Sequence, residues 1–342
     1  MASTGADCVL RHAHTDWLVV GTTPVRPPQP LQPEHGHPPP ARLVCRQTDV
    51  ECRMSNAECR MPNAEQSERV CKVKREYHKI GGGQEFRYVP FNCQDRSPSG
   101  MVHVLGDSHA TAYSPMFEQL SAETGQTVSV YSFAGCPFID FRRQLFVGHP
   151  TGCNDFNAAI VQRVREKADA GDILFLPSLR IDRFGDQWAS FDYDVFQMMY
   201  SPAALKLRED AMKDAKEWMQ LFVDQHLHIV FEAPKPIFRA PPFRCSDWFN
   251  RHNPICVGNN RQPREALERL RAPIVTSMRE LAQTFPGVSI WDPFPVLCPE
   301  DICFTTRDGR PLFFDGDHPS AYGNVLLYPD FKAHLGAQLA KP

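Results

Sequence analysis

Five short apolar segments, separated by longer stretches of helical periodicity, constrain the fold of this chain most. They are MVHVL (101–105), TVSVYSF (127–133), DILFLP (172–177), HIVFEAP (228–234) and VSIWDP (288–293). Each is rich in β-branched or aromatic residues and is bounded by glycine, proline or polar residues, as buried strands are. This alternation predicts a mostly parallel sheet with helices on both faces.

Three of the intervening stretches carry apolar residues three or four positions apart, which is the spacing of one helix face. We interpret these stripes as core-facing and predict a five-stranded, three-layer α/β/α sandwich over residues 67–342. The stripes are Phe156, Ile160, Val164 and Ala168, then Ala211, Ala215, Trp218 and Phe222, then Leu267, Leu270, Ile274, Met278 and Leu281.

The first 66 residues differ in composition from the rest of the chain. They contain a proline-rich run, which cannot enter helix or sheet interiors, and a short repeat, ECRMSNA (51–57) followed by ECRMPNA (58–64). The repeat has only two copies and no sustained heptad pattern, so it does not predict a coiled coil. We expect residues 1–66 to be a disordered low-complexity segment without chemistry.

The charge and hydropathy of the chain exclude two classes of protein. The net charge is −3 and no basic block stands out, so no nucleic-acid partner is expected. No run of eighteen apolar residues occurs, so no membrane-spanning helix is expected. The N-terminus lacks a basic start followed by a small-residue cleavage site, which by itself predicts a cytoplasmic location.

The twelve cysteines point to a different location. Structural zinc sites usually contain C-x-x-C pairs, and this sequence has none. An even number in local pairs favours disulfides over metal ligation and indicates an oxidising compartment. A missing upstream segment would reconcile this with the lack of an export signal. The eight cysteines from residue 71 onward form the predicted pairs Cys71–Cys93, Cys136–Cys153, Cys245–Cys256 and Cys298–Cys303.

The first apolar segment ends in Gly106-Asp107-Ser108-His109, and a helical pattern follows. Active sites of parallel α/β folds lie at the carboxyl ends of the strands, so Ser108 stands where a nucleophile is expected. The motif is not the G-x-S-x-G elbow of other serine hydrolases. Asp107 or Ser108 could also serve only as a helix cap.

A serine nucleophile needs a base and a group that orients the base. The stretch FFDGDHPSAYGN (313–324) contains Asp315 and His318, whose spacing places a carboxylate beside an imidazole in one turn. Asp317 is a weaker candidate for the same role, and the Asp-Gly-Asp sequence alone could form a turn or a loose cation site. His109 is a poor base because it neighbours the serine, so we expect it to make a structural hydrogen bond.

The motifs VLGDSHATA (104–112), FAGCPFI (133–139) and FFDGDHPSAYG (313–323) together resemble the SGNH (GDSL-like) hydrolase superfamily. The resemblance is greatest to the SGNH domain of membrane-bound bacterial acyltransferases of the O-antigen acetylase type, and it covers roughly residues 67–340. It implies a three-layer α/β/α fold and a catalytic triad of Ser108, Asp315 and His318.

The oxyanion of such a reaction needs hydrogen-bond donors. The backbone N–H of Ser108 is one candidate, and the resemblance supplies the N–H of Gly135 as a second. The family's third donor is usually an asparagine, but the corresponding region, LFLPSLRIDRF (174–184), has none. Ser178 or Arg180 could stand in. Arg180 and Arg183 are also candidates for binding a sugar, or they belong to a partly solvated loop.

The resemblance predicts serine-dependent transfer of an acyl group, most simply acetyl, to hydroxyls of a cell-surface polysaccharide. The expected partners are an acyl donor, a glycan acceptor and a membrane-bound acyltransferase. The location is then periplasmic or otherwise extracytoplasmic, and neither a metal nor an organic cofactor is implied. A carbohydrate O-acetyl esterase and a non-catalytic fragment that binds glycan or a membrane partner are the alternatives.

Overall fold

A computed structural model describes residues 71–93, 100–185, 194–250 and 252–339. The segment predicted to be disordered, residues 1–66, lies outside the described residues. The strands are β1 (Lys72–Ile80), β2 (Gly83–Phe91), β3 (Met101–Gly106), β4 (Thr127–Ser132), β5 (Ile173–Leu176), β6 (His228–Glu232), β7 (Arg261–Pro263), β8 (Val288–Trp291), β9 (Ile302–Phe304), β10 (Thr306–Arg307) and β11 (Arg310–Pro311). The helices are α1 (Ser108–Ala112), α2 (Ser114–Thr124), α3 (Cys153–Lys167), α4 (Val195–Tyr200), α5 (Pro202–Val223), α6 (Pro242–Cys245), α7 (Arg264–Thr284), α8 (Phe294–Leu297) and α9 (Ala321–Leu339).

Seven strands form the central sheet, in the order β1-β2-β4-β3-β5-β6-β8. The run β4-β3-β5-β6-β8 is parallel throughout, and these are the five apolar segments of the sequence. β1 and β2 pair antiparallel with each other, and β2 pairs antiparallel with β4. The mostly parallel sheet is therefore confirmed. The expected number of five strands was too small, because the β1–β2 hairpin adds two strands to the sheet.

The β1–β2 hairpin escaped the sequence analysis because its polar residues lie on both of its faces. Arg75 forms an ion pair with Glu118 of α2, whereas Glu85 lies 3.6 Å from Arg163 of α3 on the opposite face. No apolar alternation therefore marks these strands. The signal that remains is the turn Gly81–Gly82, where both glycines have positive φ angles, as a tight hairpin connection requires.

The helices cover both faces of the sheet, which confirms the three-layer arrangement. α2 and α9 pack on one face, where Phe331 contacts Phe175 and Trp291 with ring centroids 4.9 Å apart in both cases. α3, α5 and α7 pack on the other face and bury the three predicted stripes, except that Ala168 lies one residue beyond α3. The core aromatic rings meet in tilted or edge-on contacts, which rings prefer over face-to-face stacking.

The strand order fixes where a ligand is expected to bind. Numbered among themselves, the parallel strands follow the order 2-1-3-4-5, in which the connections diverge between the first strand, β3, and the third, β5. Ligands of such sheets bind at the carboxyl ends of the strands at this point. A Cβ on Gly106, the last residue of β3, would lie 1.9 Å from the carbonyl oxygen of Pro177 after β5. Only glycine permits this close approach.

Within the described residues, four disulfides lie in the loops and element ends around this sheet. They join the cysteine pairs Cys71–Cys93, Cys136–Cys153, Cys245–Cys256 and Cys298–Cys303. Each closes a short loop, between 5 and 22 residues in sequence separation. None of the helices in the described ranges combines the length and the apolar character needed to cross a bilayer.

Candidate active site

Asp107, not Ser108, caps the helix that follows β3. One oxygen of its carboxylate accepts the backbone N–H of His109 at 2.9 Å, and the other accepts the backbone N–H of Leu179 at 3.1 Å. This buried carboxylate thus fixes the start of α1 to the loop after β5. Because Asp107 fulfils the capping role, the hydroxyl of Ser108 is available for another contact.

The hydroxyl of Ser108 lies against the imidazole of His318, 210 residues further along the chain. Ser108 Oγ and His318 Nε2 are 2.7 Å apart. On the other side of the ring, His318 Nδ1 lies 2.7 Å from Asp315 Oδ2. Asp315 Oδ1 accepts the backbone N–H of His318 at 2.8 Å, so the turn itself orients the carboxylate. The structure therefore brings the three predicted residues into a serine–imidazole–carboxylate chain.

Asp317 is a second carboxylate on the same imidazole. Its Oδ1 lies 2.9 Å from His318 Nδ1, and its Oδ2 accepts a hydrogen bond from Nε of Arg183. Burial alone would raise the pKa of Asp317, but the hydrogen bond with His318 and the charge of Arg183 hold it well below its usual value. The sequence analysis ranked Asp317 below Asp315, although its place beside the histidine was a usable signal.

The two carboxylates change the protonation of His318. Burial by itself would lower the pKa of this imidazole, but the hydrogen bonds and negative charges of Asp315 and Asp317 outweigh it and raise the pKa to about 9. At neutral pH the ring is therefore mostly an imidazolium, and it accepts a proton only after it has lost one. The two carboxylates therefore control the basicity of the site.

His109 stacks on His318. The two ring centroids are 4.1 Å apart and the rings are inclined by 16°. His109 is fully buried, and within the described part of the chain neither of its ring nitrogens has a hydrogen-bond partner. Burial, together with the charge of Lys235, lowers its pKa well below the usual value, so the ring is neutral. The prediction that His109 makes a structural hydrogen bond is therefore wrong: its contact with His318 is a stacking contact through the face of the ring.

A cleft of about 490 Å³ opens beside Ser108 and Gly135. Gly135 follows β4 and has a φ of +72°, a conformation that favours glycine. Among the described residues, no hydrogen-bond acceptor pairs with the backbone N–H of Ser108 or of Gly135, and both residues line the cleft. The other residues that line it are Asp107, Ala134, Pro137, Arg142, Leu179, Ile181, Asp182, Arg183 and Met198.

Arg180 does not face this cleft, which corrects its assignment as a sugar-binding residue or third oxyanion donor. Its side chain is completely buried, and its guanidinium donates to the carbonyl oxygens of Ile139 at 2.8 Å and Phe138 at 3.0 Å. The guanidinium also lies over the rings of Phe141 and Phe231. Arg180 thus clamps the loop after β4, in which Ile139 adopts a positive φ that a β-branched residue rarely adopts.

Of the remaining candidates, Arg183 lines the cleft, whereas Ser178 and His103 do not. Arg183 lines the cleft, with its Nε engaged by Asp317, so it lies where a substrate could contact the rest of its guanidinium. Ser178 is buried, is not among the residues that line the cleft, and its hydroxyl lacks a hydrogen-bond partner within the described residues. His103 is fully buried on β3, with Nε2 3.5 Å from Asp172, and it belongs to the core and not to the cleft.

One group of side chains in the described ranges has the spacing of a metal site. His109, Asp317 and His318 offer ligand atoms that all lie within 4.8 Å of one another. However, Asp317 already pairs with the guanidinium of Arg183, and His318 Nδ1 lies between two carboxylates. These contacts suit a hydrogen-bonded base better than a cation bound among the same atoms.

Comparison with protein families gives the family of the chain. The model of the SGNH domain (fused to AT3 domains) matches residues 58–333, which is more than half of the 342 residues. The chain belongs to this SGNH family. It is accordingly an enzyme of the acyltransferase or ester-hydrolase type. A comparison with curated proteins found no match.

Solved structures with detectable similarity include two acetyl-group enzymes. The first is the periplasmic domain of a lipopolysaccharide acetyltransferase from Salmonella ser. Paratyphi A. It shares 14% identity with a TM-score of 0.41, over 70% of this chain and 85% of that chain. The second is a catalytic mutant of an acetylxylan esterase from Geobacillus stearothermophilus. It shares 11% identity with a TM-score of 0.39, over 73% of this chain and 100% of that chain.

Proposed function

We propose that this SGNH domain transfers an acetyl group through Ser108 to a hydroxyl of a cell-surface polysaccharide. The observation that carries the proposal is the 2.7 Å distance from Ser108 Oγ to His318 Nε2, in line with the 2.7 Å contact of His318 Nδ1 with Asp315. A hydroxyl in contact with an imidazole that a carboxylate orients is the arrangement that nucleophilic acyl transfer needs.

In the first half-reaction, Ser108 Oγ attacks the carbonyl carbon of the acyl donor while His318 Nε2 takes the hydroxyl proton. The resulting oxyanion accepts hydrogen bonds from the backbone N–H groups of Ser108 and Gly135, two residues that line the cleft. His318 then gives its proton to the leaving oxygen of the donor. The products are the free donor alcohol and an acetyl ester on Ser108.

In the second half-reaction, a glycan hydroxyl gives its proton to His318 Nε2 and its oxygen attacks the acetyl carbon. The same two N–H groups hold the oxyanion, and His318 returns the proton to Ser108 as the ester bond to the enzyme breaks. Asp315 stabilises the imidazolium in both steps because its carboxylate contacts Nδ1. Ser108 and His318 are the only side chains of the protein that exchange protons in these steps.

The choice of donor, acceptor and location rests on the family and on the cysteines. The family is described as fused to AT3 domains, and the motifs resemble those of membrane-bound O-antigen acetylases, so we assign the acyl donor to a membrane acyltransferase partner. The four disulfides of the described residues support a location in an oxidising compartment outside the cytoplasm. The acceptor there is a cell-surface polysaccharide.

Hydrolysis is the second candidate function. Ser108 is partly exposed and lines an open cleft, so water can reach an acetyl group on its oxygen. With water as the acceptor, the same residues would make a carbohydrate O-acetyl esterase. The two functions differ only in which hydroxyl His318 deprotonates in the second half-reaction.

The full chain should release acetate from an aryl acetyl ester, and Ser108→Ala should lower this rate by about 10³-fold or more. Ser246→Ala, a substitution of an exposed serine, is the matched control and should leave the rate unchanged. Equal rates for the wild type and Ser108→Ala would refute the catalytic proposal and favour a non-catalytic binding domain. Adding an acetylated donor and a polysaccharide then separates the functions: ester-bound acetate on the polysaccharide shows transfer, and free acetate shows hydrolysis.

A further inference from the structure

A patch of large apolar side chains is exposed beside the candidate active site. We call it the apolar patch, and it consists of Phe243, Trp248, Phe249, Val257 and Phe314, with exposed fractions of 53%, 79%, 64%, 60% and 57%. The rings of Trp248 and Phe249 are in contact, with centroids 5.7 Å apart, and those of Phe243 and Phe314 are 5.5 Å apart. Exposed apolar clusters of this size mark interaction sites.

The disulfide Cys245–Cys256 closes the loop that carries Trp248 and Phe249. A closed loop loses less conformational entropy on binding than an open one, so it can present exposed aromatic side chains in a fixed arrangement. The local structure supports the same role, because turns and a bend span residues 246–250 and the side-chain amide of Asn250 donates to the carbonyl of Arg244 at 3.2 Å.

The apolar patch lies at the edge of the sheet that carries the candidate active site. The chain that leads from the carboxyl end of β6 to this loop contains Phe238, whose backbone N–H donates to the carbonyl of Gly316 at 2.7 Å. Phe314 directly precedes Asp315, and its own N–H donates to the carbonyl of His318 at 2.8 Å. A surface that contacts the apolar patch would therefore lie near Ser108 and His318.

The charge around the apolar patch indicates what it contacts. The stretch from Arg239 to Arg264 contains five arginines and one acidic residue, Asp247, although the whole chain has a net charge of −3. Arg244 and Arg261 are exposed. Exposed tryptophan and phenylalanine beside arginines are the composition of segments that bind at the interface of an anionic bilayer.

We propose that the apolar patch docks this domain on an anionic phospholipid surface. Trp248 and Phe249 enter the headgroup region, while the exposed Arg244 and Arg261 contact lipid phosphates. Docking in this way holds the carboxyl edge of the sheet, with its cleft, close to the membrane. The proposal does not depend on the acyl-transfer chemistry, and lipid binding is measured without any turnover.

The test is flotation of the full chain with vesicles of phosphatidylcholine, with and without phosphatidylglycerol. We expect binding to the vesicles with phosphatidylglycerol and about a tenfold or larger loss for Trp248→Ser/Phe249→Ser. The matched control, Tyr77→Ser/Phe91→Ser, removes two exposed aromatic residues from the β1–β2 hairpin and should bind like the wild type. Arg261→Glu should weaken binding, and so should added salt.

Three results would overturn the proposal. The first is no binding of the wild type to either kind of vesicle. The second is equal binding to both compositions, which would show that anionic lipid is not required. The third is an equal loss of vesicle binding in the hairpin control, which would show that binding does not depend on the apolar patch. If the wild type instead sediments as a dimer and Trp248→Ser/Phe249→Ser as a monomer, with no vesicle binding, the patch pairs two copies of the chain.

Discussion

The imidazole of His109 lies flat against that of His318, with ring centroids 4.1 Å apart. These two histidines come from opposite ends of the domain, one beside Ser108 on α1 and the other in the turn before α9. His109 is neutral and buried, and it packs flat against one face of the His318 ring. Asp315 and Asp317 contact Nδ1 at the edge of the same ring. These contacts hold the imidazole of His318 in the orientation in which its Nε2 contacts Ser108 Oγ.

Removing the ring of His109 should affect turnover more than substrate binding. We expect His109→Ala to lower kcat on an aryl acetyl ester by about 10-fold to 100-fold with little change in KM, because small displacements of a reacting group cost this much. His109→Phe keeps a flat ring of similar size and should retain most of the activity. If His109→Phe is as slow as His109→Ala, a ring nitrogen of His109 is needed and the stacking explanation is wrong.

The pH dependence of activity should follow the charges around His318. Its pKa of about 9 means that kcat/KM should rise with pH until about pH 9, as the imidazolium loses its proton. Asp317→Asn removes a negative charge that stabilises the imidazolium, so the rise should move to lower pH by about one unit or more. Arg183→Gln removes a nearby positive charge and should move it to higher pH.

A double variant controls for the unpaired charge that each single substitution leaves behind, which is Arg183 or the buried Asp317. Asp317→Asn/Arg183→Gln removes both partners of the ion pair, so it should fold at least as well as Asp317→Asn alone. Its pH profile should resemble that of Asp317→Asn, because the carboxylate contacts Nδ1 directly. Profiles that coincide with that of the wild type in all three variants would show that Asp315 alone sets the pKa of His318.

Gly106 should tolerate no side chain. A Cβ at this position would lie 1.9 Å from the carbonyl of Pro177, so Gly106→Ala must push β3 and β5 apart beneath Ser108. We expect a loss of about 3 kcal/mol or more in the free energy of unfolding, measured by urea titration. Gly336→Ala is the matched control: position 336 is on the exposed side of α9, its Cβ would meet nothing within 4 Å, and the variant should gain up to about 1 kcal/mol in the free energy of unfolding.

Arg180 should contribute to stability rather than to substrate binding. Arg180→Met fills a similar volume but leaves the buried carbonyls of Phe138 and Ile139 without their donor, at a cost of about 3 kcal/mol or more. Arg279→Met, on an exposed position of α7, should change stability by no more than about 0.5 kcal/mol. A destabilised Arg180→Met with unchanged KM fits a clamp, whereas a raised KM at full stability would restore Arg180 to the substrate site.

The parallel part of the fold could be predicted because its strands are buried on both faces. Such strands consist of continuous apolar residues, as in Ile173–Leu176, and they stand out from the helical stripes between them. The hairpin Lys72–Phe91 gave no such signal, since its side chains pair with charged residues of α2 and α3. Those pairings depend on which helices come to lie beside the hairpin.

The candidate site was predictable only where its residues are close in sequence. Asp315 and His318 share one turn, and Ser108 follows a recognisable strand. The stacking of His109 depends on the approach of two distant segments, and no local pattern encodes it. The same holds for Arg180, whose acceptors lie about 40 residues upstream in the loop after β4.

The hairpin also determines which strand ends the sheet. Without it, β4 (Thr127–Ser132), in which five of the six residues are buried, would be an open edge, and an unpaired edge strand invites pairing with another molecule and aggregation. With it, the edge is β1, whose exposed Lys72, Lys74 and Lys79 repel such pairing. A shortened chain that begins at Met101 should therefore be poorly soluble even with every residue of the candidate site intact.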